Sequence, residues 1–171
     1  MENVTEIAGM DEHPLASKYP CRTPVWWARY GEVGKHPNLP GASGRKIALR
    51  IEKSFGRIEG MFARLLRAPK EVRRPLDTMN SMLWELADGS RRFSEVCTIL
   101  DDLYSEDIAP VLHRTAAAVA VFQQQNLMLM LDEPLEQRWL VGPGCTPEHQ
   151  VLGEPDPVLM LDSKPIEGDA P

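Results

Sequence analysis

Cysteine is scarce in this sequence, and its three residues, Cys21, Cys97 and Cys145, are widely spaced and odd in number. A small domain stabilised by disulfide bonds needs more cysteines, usually in an even number. The scarcity excludes a disulfide scaffold and indicates a reducing compartment. Cys145 has only His149 near it, which is too few ligands for zinc, so we predict no metal site.

Long apolar runs are also missing. A helix that spans a bilayer needs about 20 consecutive apolar residues, and no stretch approaches that length. The opening MENVTEIAGMDEHPLASKYP lacks the basic start and apolar core of a secretion signal. We therefore expect a cytoplasmic protein without a membrane span.

The chain has no basic surplus, since its net charge is −6 and its pI is about 5.3. Proteins that coat nucleic acid normally carry an excess of Lys and Arg. The charge is unevenly distributed, because residues 45–75 hold ten Lys/Arg against three Asp/Glu and residues 132–171 hold two against nine. These two regions can attract each other or attract different partners.

Patterns typical of enzymes are missing as well. The four histidines are far apart in the sequence, and GASGRK lacks the spacing and the Lys-Ser/Thr ending of a phosphate-binding loop. No Ser/His/Asp set can be assembled, and Cys97 lies beside an apolar helical stripe, where a buried thiol is more common than a nucleophile. We predict a non-catalytic protein without a cofactor.

TPVWWARY (Thr23–Tyr30) is aromatic and β-branched, which predicts a strand. Apolar residues alternate with polar ones in KIALRIEK, within residues 45–53, which predicts a second strand. EVRRPL (Glu71–Leu76) predicts a third strand, of the edge type because Pro75 cannot donate to a ladder. In residues 55–69 the apolar spacing becomes helical, which predicts a short basic amphipathic helix. That helix covers one end of the sheet, lies on an anionic membrane or fills a partner's groove.

Three further helices follow these strands. Asp77 is the expected N-cap of the first, and the Asp88–Gly89 pair ends it. Ser94 is the expected N-cap of the second helix and Asp107 that of the third, which runs to about residue 125. Trp84 is expected in the core. Because Trp26 and Trp27 are adjacent on a strand, one of them is expected to face outward, covered by the tail or by a partner.

This order predicts an α+β fold: a winged-helix-like domain with a three-stranded antiparallel sheet followed by three helices, with extensions. Residues 1–22 are interpreted as a flexible arm and residues 23–131 as the domain. Residues 132–171 form a Pro-rich acidic tail that we expect to be mostly disordered. NLMLML and QRWLVG are apolar enough to form an extra hairpin within residues 127–141.

The stretch PLDTMNSMLWELADGSRRFSEVCTIL, followed by VFQQQNLMLM, resembles the family of coenzyme PQQ synthesis protein D. In that family a strand ending in Leu leads to a helix with an apolar-Trp-x-Leu core, an Asp-Gly turn and a second helix. The resemblance covers residues 24–131 and is densest over residues 76–100. Asn80 stands where the family often has Gly, and residues 55–69 and the tail exceed the minimal member. The matching positions are Leu76, Leu83, Trp84, Leu86, Asp88, Gly89, Ser94 and Val96.

The resemblance implies a peptide-binding module rather than an enzyme. Such domains recognise a precursor or leader peptide and present it to a modifying enzyme, commonly a radical S-adenosylmethionine enzyme. The peptide adds a strand to the sheet edge and lies against the third helix. The candidate peptide-binding residues are therefore Val72, Arg73, Arg74 and Leu76 on the strand and Arg114, Ala117 and Val121 on the helix.

The residues themselves leave alternatives open for the edge strand. Arg73 and Arg74 either grip the carboxylates of an acidic peptide or merely keep an edge soluble, and a second copy of the chain can use the same edge to form a homodimer. The alternative function is a winged-helix DNA-binding regulator. Its recognition helix would offer Arg114 and His113 but few other groups that reach bases, so nucleic acid is the less favoured partner.

Overall fold

The computed structural model describes residues 6–52 and 71–171 of the chain, so the amphipathic helix predicted for residues 55–69 lies outside the described residues. The described part is a mixed α/β structure with antiparallel sheets and three α-helices. Its elements are β1 (Tyr19–Arg22), β2 (Trp26–Tyr30), β3 (Lys46–Glu52), β4 (Glu71–Pro75), α1 (Thr78–Leu86), α2 (Phe93–Tyr104), α3 (Val111–Gln124) and β5 (Met128–Leu131), with 3-10 helices at Ser105–Ile108 and Pro157–Leu159.

Strands β2, β3 and β4 form the predicted three-stranded antiparallel sheet, in that order. The alternation in β3 has the expected effect, because Ile47 and Leu49 are fully buried in the main core together with Trp27 of β2. We call this the inner face of the sheet. The outer face carries the intervening residues, including Trp26 and Arg50, which are paired across the two strands.

A second, two-stranded sheet joins β1 to β5, with Tyr19 opposite Leu131 and Arg22 opposite Met128. The prediction of a flexible arm was therefore wrong for Tyr19–Arg22. The predicted hairpin within residues 127–141 was also wrong, because β5 pairs with β1 and not with QRWLVG. The tetrapeptide YPCR has no alternating pattern and contains Pro20, so its strand is defined by a partner more than a hundred residues away.

The first helix cap was predicted correctly, whereas the other two were not. The Asp77 side chain accepts the Asn80 N–H at 2.8 Å. In α2 the N-cap is Arg92, because the buried Phe93 donates its N–H to the Lys18 carbonyl at 2.7 Å and fixes the helix start there. The expected cap of α3, Asp107, lies in the preceding 3-10 helix, and Pro110 precedes the first turn of α3.

The tryptophans define how the two faces of the sheet are covered. Trp84 is fully buried, as predicted, and packs against Phe122 with ring centroids 5.7 Å apart. Trp26 and Trp27 are 6% and 1% exposed, so neither ring faces solvent. Trp26 does lie on the outer face, where the Arg50 guanidinium stacks 4.5 Å from its ring centroid. This stacking explains how an outward tryptophan is desolvated.

The tail is not the mostly disordered segment that its composition predicted. Residues 132–171 contain little regular structure, yet they make defined hydrogen bonds with the domain. The Val141 carbonyl, for example, accepts the indole N–H of Trp27 at 2.9 Å and the Arg22 Nε–H at 3.1 Å. Within residues 6–52 and 71–171, no helix has both the length and the apolar character needed to cross a membrane.

Two of the three thiols are buried in the fold. Burial raises the pKa of Cys21 to about 11 and that of Cys97 to about 12, whereas Cys145 is partly exposed. Because the thiolate is the reactive form, we expect a disulfide reagent at mildly alkaline pH to modify Cys145 rapidly in the native protein and the other two thiols only after unfolding. Counting labelled thiols by mass spectrometry with and without denaturant checks this, and rapid native labelling of Cys97 would contradict it.

Candidate functional site

Strand β4 is an edge of the three-stranded sheet: within the described ranges 6–52 and 71–171 it pairs only with β3. The Leu76 N–H donates to the Ile47 carbonyl at 2.8 Å, which fixes the phase of the ladder. In an antiparallel pair, successive residues direct their backbone groups to opposite sides. The backbone groups of Val72 and Arg74 therefore face β3, and those of Glu71, Arg73 and Pro75 face away from it.

This alternation of backbone groups explains why the strand tolerates a proline. Pro75 occupies a position whose nitrogen faces away from β3, so its missing N–H costs no bond within the sheet. The N–H and C=O of Glu71 and Arg73, and the C=O of Pro75, form the row of groups that an added strand would meet. The row is short, which also limits unwanted pairing.

Arg73 and Arg74 lie on opposite faces of the sheet. Arg74 is opposite Leu49 on the inner face, whereas Arg73 is opposite Arg50 on the outer face. The two arginines therefore cannot bind one carboxylate together, and each is a separate cation on its own face of the sheet. Val72, 41% exposed, shares the inner face with Arg74.

Arg74 connects the edge strand to α3. Its guanidinium donates to the side-chain oxygen of Gln125 and lies 5.9 Å from the ring centroid of Phe122. Leu76 is only 5% exposed and belongs to the main core, so it offers little surface to a ligand. Among the candidate strand residues, Val72 and Arg73 are the exposed ones.

The three candidate residues of α3 lie on one exposed face. Arg114, Ala117 and Val121 are spaced by three and four residues, so they follow one another along the helix surface. All three are exposed, Val121 by 45%, while Thr115 and Phe122 on the other side are buried. The face is apolar in its middle, and its cation lies near the N-terminal end.

The outer face near β4 contains a charge pair that the sequence did not indicate. The Arg50 guanidinium is 2% exposed and donates to Glu71 Oε2 at 2.8 Å. Glu71 thus compensates Arg50, and the exposed Arg73 gives the outer side of the edge its positive charge. The pair follows from the strand register, because Arg50 and Glu71 lie diagonally across neighbouring strands, and the register could have indicated it once the pairing of β3 with β4 was known.

Comparisons of the chain with models of protein families, with curated proteins and with solved structures give no match. In the described portion, no group of three His, Cys, Asp or Glu side chains is arranged to hold a metal ion. The site is therefore interpreted from its own geometry: a short open ladder, one cation on each face, and a neighbouring helix with an exposed apolar surface.

Proposed function

We propose that this protein binds an extended peptide by strand addition to β4 and presents it to a modifying enzyme, as the resemblance to coenzyme PQQ synthesis protein D implies for a winged-helix-like domain. The outward-facing backbone groups of Glu71 and Arg73 carry the proposal, on a strand that Arg74 connects to the end of α3 through Gln125. Strand addition takes its affinity from such backbone groups and its selectivity from the side chains around them.

The preferred peptide is acidic with alternating apolar residues. Side chains of an added strand alternate between the two faces. Those on the inner side meet Val72 and the α3 residues Ala117 and Val121, and those on the outer side meet Arg73. Arg73 and Arg114 are exposed cations that attract carboxylates, so an acidic peptide is steered to this edge.

The same geometry disfavours a homodimer through β4. An antiparallel pair of β4 strands centred on Arg73 would place Arg73 opposite its own copy and Glu71 opposite Pro75. Like charges directly opposite each other destabilise a sheet, and Pro75 lacks the N–H that the pairing needs. A separate peptide is the better occupant of the edge.

A proline variant and an alanine variant of Arg73, compared with each other, test whether a peptide binds to this ladder. A peptide is first selected from a randomised library displayed against the full chain, and its Kd is then measured for Arg73→Ala and Arg73→Pro. Both variants lose the arginine side chain, and Arg73→Pro also loses the outward backbone N–H. We therefore expect Arg73→Pro to bind the peptide about tenfold more weakly than Arg73→Ala, equivalent to ~1.4 kcal/mol. Both variants should keep the wild-type melting temperature within a few degrees.

Val72→Pro is the control for that experiment. The Val72 N–H faces β3, so its loss should lower the melting temperature clearly, which Arg73→Pro should not do. Equal peptide affinity for Arg73→Pro and Arg73→Ala would contradict strand addition at β4. Failure to retain any library peptide, together with binding of duplex DNA that weakens steeply with salt, would favour the DNA-binding alternative.

A further inference from the structure

The other edge of the sheet, β2, is occupied by the chain itself. The Arg29 N–H donates to the Asp162 carbonyl at 2.9 Å, and the Asp162 N–H donates to the Arg29 carbonyl at 2.7 Å. Further along the same edge, the Gly144 N–H donates to the Trp27 carbonyl at 2.8 Å. Arg29 and Asp162 therefore exchange hydrogen bonds as one residue pair of an antiparallel ladder does, and this isolated bridge occupies the outer edge of β2.

Two arginines bind carboxylates of the tail segment formed by residues 161–171. Arg29 grips Asp169 with two parallel bonds of 2.8 Å, from Nη1 to Oδ2 and from Nη2 to Oδ1. Arg45 Nη1 donates to Asp162 Oδ2 at 2.9 Å. The forked geometry of arginine matches a carboxylate, so Asp169 is recognised by shape and by charge, whereas Asp162 makes a single charged bond.

The Arg29 side chain, which binds Asp169, is held in place by groups outside the tail. Its Nε–H donates to Glu85 Oε2 at 2.8 Å, and its guanidinium stacks 4.8 Å from the ring centroid of Trp27. Glu85 is in turn held by the backbone N–H of Ser43 at 2.9 Å. The side chain is therefore oriented before any carboxylate arrives, which lowers the entropic cost of binding one.

Three glycines make room for the backbone of the segment. A Cβ atom at Gly41 would lie 3.1 Å from the Gly168 carbonyl oxygen, and one at Gly142 would lie 2.7 Å from the Ala170 carbonyl oxygen. At Gly144 it would lie 2.9 Å from Ser163 Cβ. Any side chain at these positions would push the segment away, so the surface is shaped for close backbone approach. We call it the glycine groove.

The segment in the groove, residues 161–171, contributes backbone and carboxylate groups rather than a core. Residues 163–168 are all exposed, and the side chains that the groove covers best are those of Asp169 and Ala170. Pro171 adds its carbonyl oxygen, which accepts the Val141 N–H at 2.8 Å. A segment attached in this way resembles a peptide ligand more than a folded layer, because it buries little apolar surface.

We propose that the glycine groove is a binding site for acidic peptides that form a turn, and that residues 161–171 occupy it as an exchangeable ligand joined to the chain, with the Asp169 N–H donating to the Ile166 carbonyl at 3.1 Å in the turn. The chemical class of the ligand is a peptide with two carboxylates seven residues apart, as Asp162 and Asp169 are, and with a turn just before the second carboxylate, where Gly168 has a φ of 86°. The tether raises the local concentration of the chain's own segment, so a peptide from another protein binds when the tether is cut or when its affinity is higher. This site is separate from β4 and does not depend on the function proposed for it.

The test uses the full chain with a protease site inserted between Gly153 and Glu154, both exposed, so that the Gly153 carbonyl, which accepts a hydrogen bond from Arg50, stays with the larger fragment. After folding and cleavage, a fluorescent synthetic peptide of residues 154–171 is added and its anisotropy is followed. We expect it to replace the cleaved segment, and an unlabelled copy to compete with it. An Asp169→Asn peptide should compete at least about tenfold more weakly, because it cannot supply the carboxylate that Arg29 grips.

The Asp156→Asn peptide is the matched control, since Asp156 caps its own 3-10 helix and should be replaceable without loss of competition. Circular dichroism of the cleaved protein, with the segment removed by dilution, shows whether the domain stays folded. The proposal is overturned if no labelled peptide exchanges into the cleaved protein, if the domain unfolds once the segment leaves, or if the Asp169→Asn peptide competes as well as the natural sequence.

Discussion

Replacing Arg29 by Met is expected to lower the free energy of unfolding by about 3–5 kcal/mol, because it leaves two acidic side chains without their cation. Glu85 and Asp169 are 0% and 4% exposed, and both bind Arg29 at 2.8 Å. Methionine keeps the unbranched apolar stem of the side chain, so the loss reports mainly on the guanidinium, that is, on its charge and its hydrogen bonds. Urea unfolding followed by far-ultraviolet circular dichroism measures it.

Lys18→Met is the matched control for that variant. Lys18 pairs with Asp132 on the surface, where both side chains are well exposed, and such pairs contribute about 1 kcal/mol or less. Unfolding free energies that are equal in the two variants would mean that the Arg29 pairs do not stabilise the fold. The slope of the unfolding curve should stay unchanged, because neither variant alters the surface exposed on unfolding.

Replacing Trp84 by Ala is expected to destabilise the protein by about 3–5 kcal/mol, the usual cost of emptying a large core position. Trp84 is fully buried against Phe122, and its indole N–H has no hydrogen-bond partner within the described residues. Trp84→Phe should therefore cost much less, since it keeps an aromatic ring and removes a donor that is buried without a partner. The melting temperatures of the two variants, measured side by side, check this ordering, and equal losses would show that the packing interpretation is wrong.

Several local features of the fold were predicted correctly from the sequence. Alternation in KIALRIE predicted β3, Asp77 predicted the start of α1, and Pro75 predicted that β4 is an edge. Each of these signals depends on residues within one element, where period and capping chemistry act. The candidate residues of α3 were likewise found on one exposed face, because helical spacing alone decides which residues share a face.

The features that escaped prediction depend on partners far away in the chain. Arg22 donates from the end of β1 to the Trp84 carbonyl at 2.6 Å, and so caps a helix more than sixty residues further on. Arg29 binds Asp169 across 140 residues. A buried arginine and an acidic tail each look solvent-exposed in a sequence, because charged residues are rarely buried unless they are paired. The pairing partner, which decides the outcome, leaves no local pattern.

The pattern of backbone bonds in β4 was missed for a different reason. Strand alternation in EVRRPL already places Arg74 on the face of Val72 and Leu76 and Arg73 on the opposite face. Alternation does not say which backbone groups face β3, because that phase is fixed by the bond between Leu76 and Ile47. Binding variants designed from sequence alone would have chosen Val72→Pro, which breaks the sheet rather than the edge.

The occupation of β2 by the tail has a consequence for how the chain is made. The ribosome synthesises β2 early, and its backbone partner Asp162 emerges more than a hundred residues later. Throughout that interval the nascent sheet has an unprotected edge, and such edges pair readily with other chains. Contacts so distant in sequence also slow folding, because a long loop must close first. A chain that stalls before residue 162 therefore leaves the ribosome as an aggregation-prone product, and quality control has to remove it.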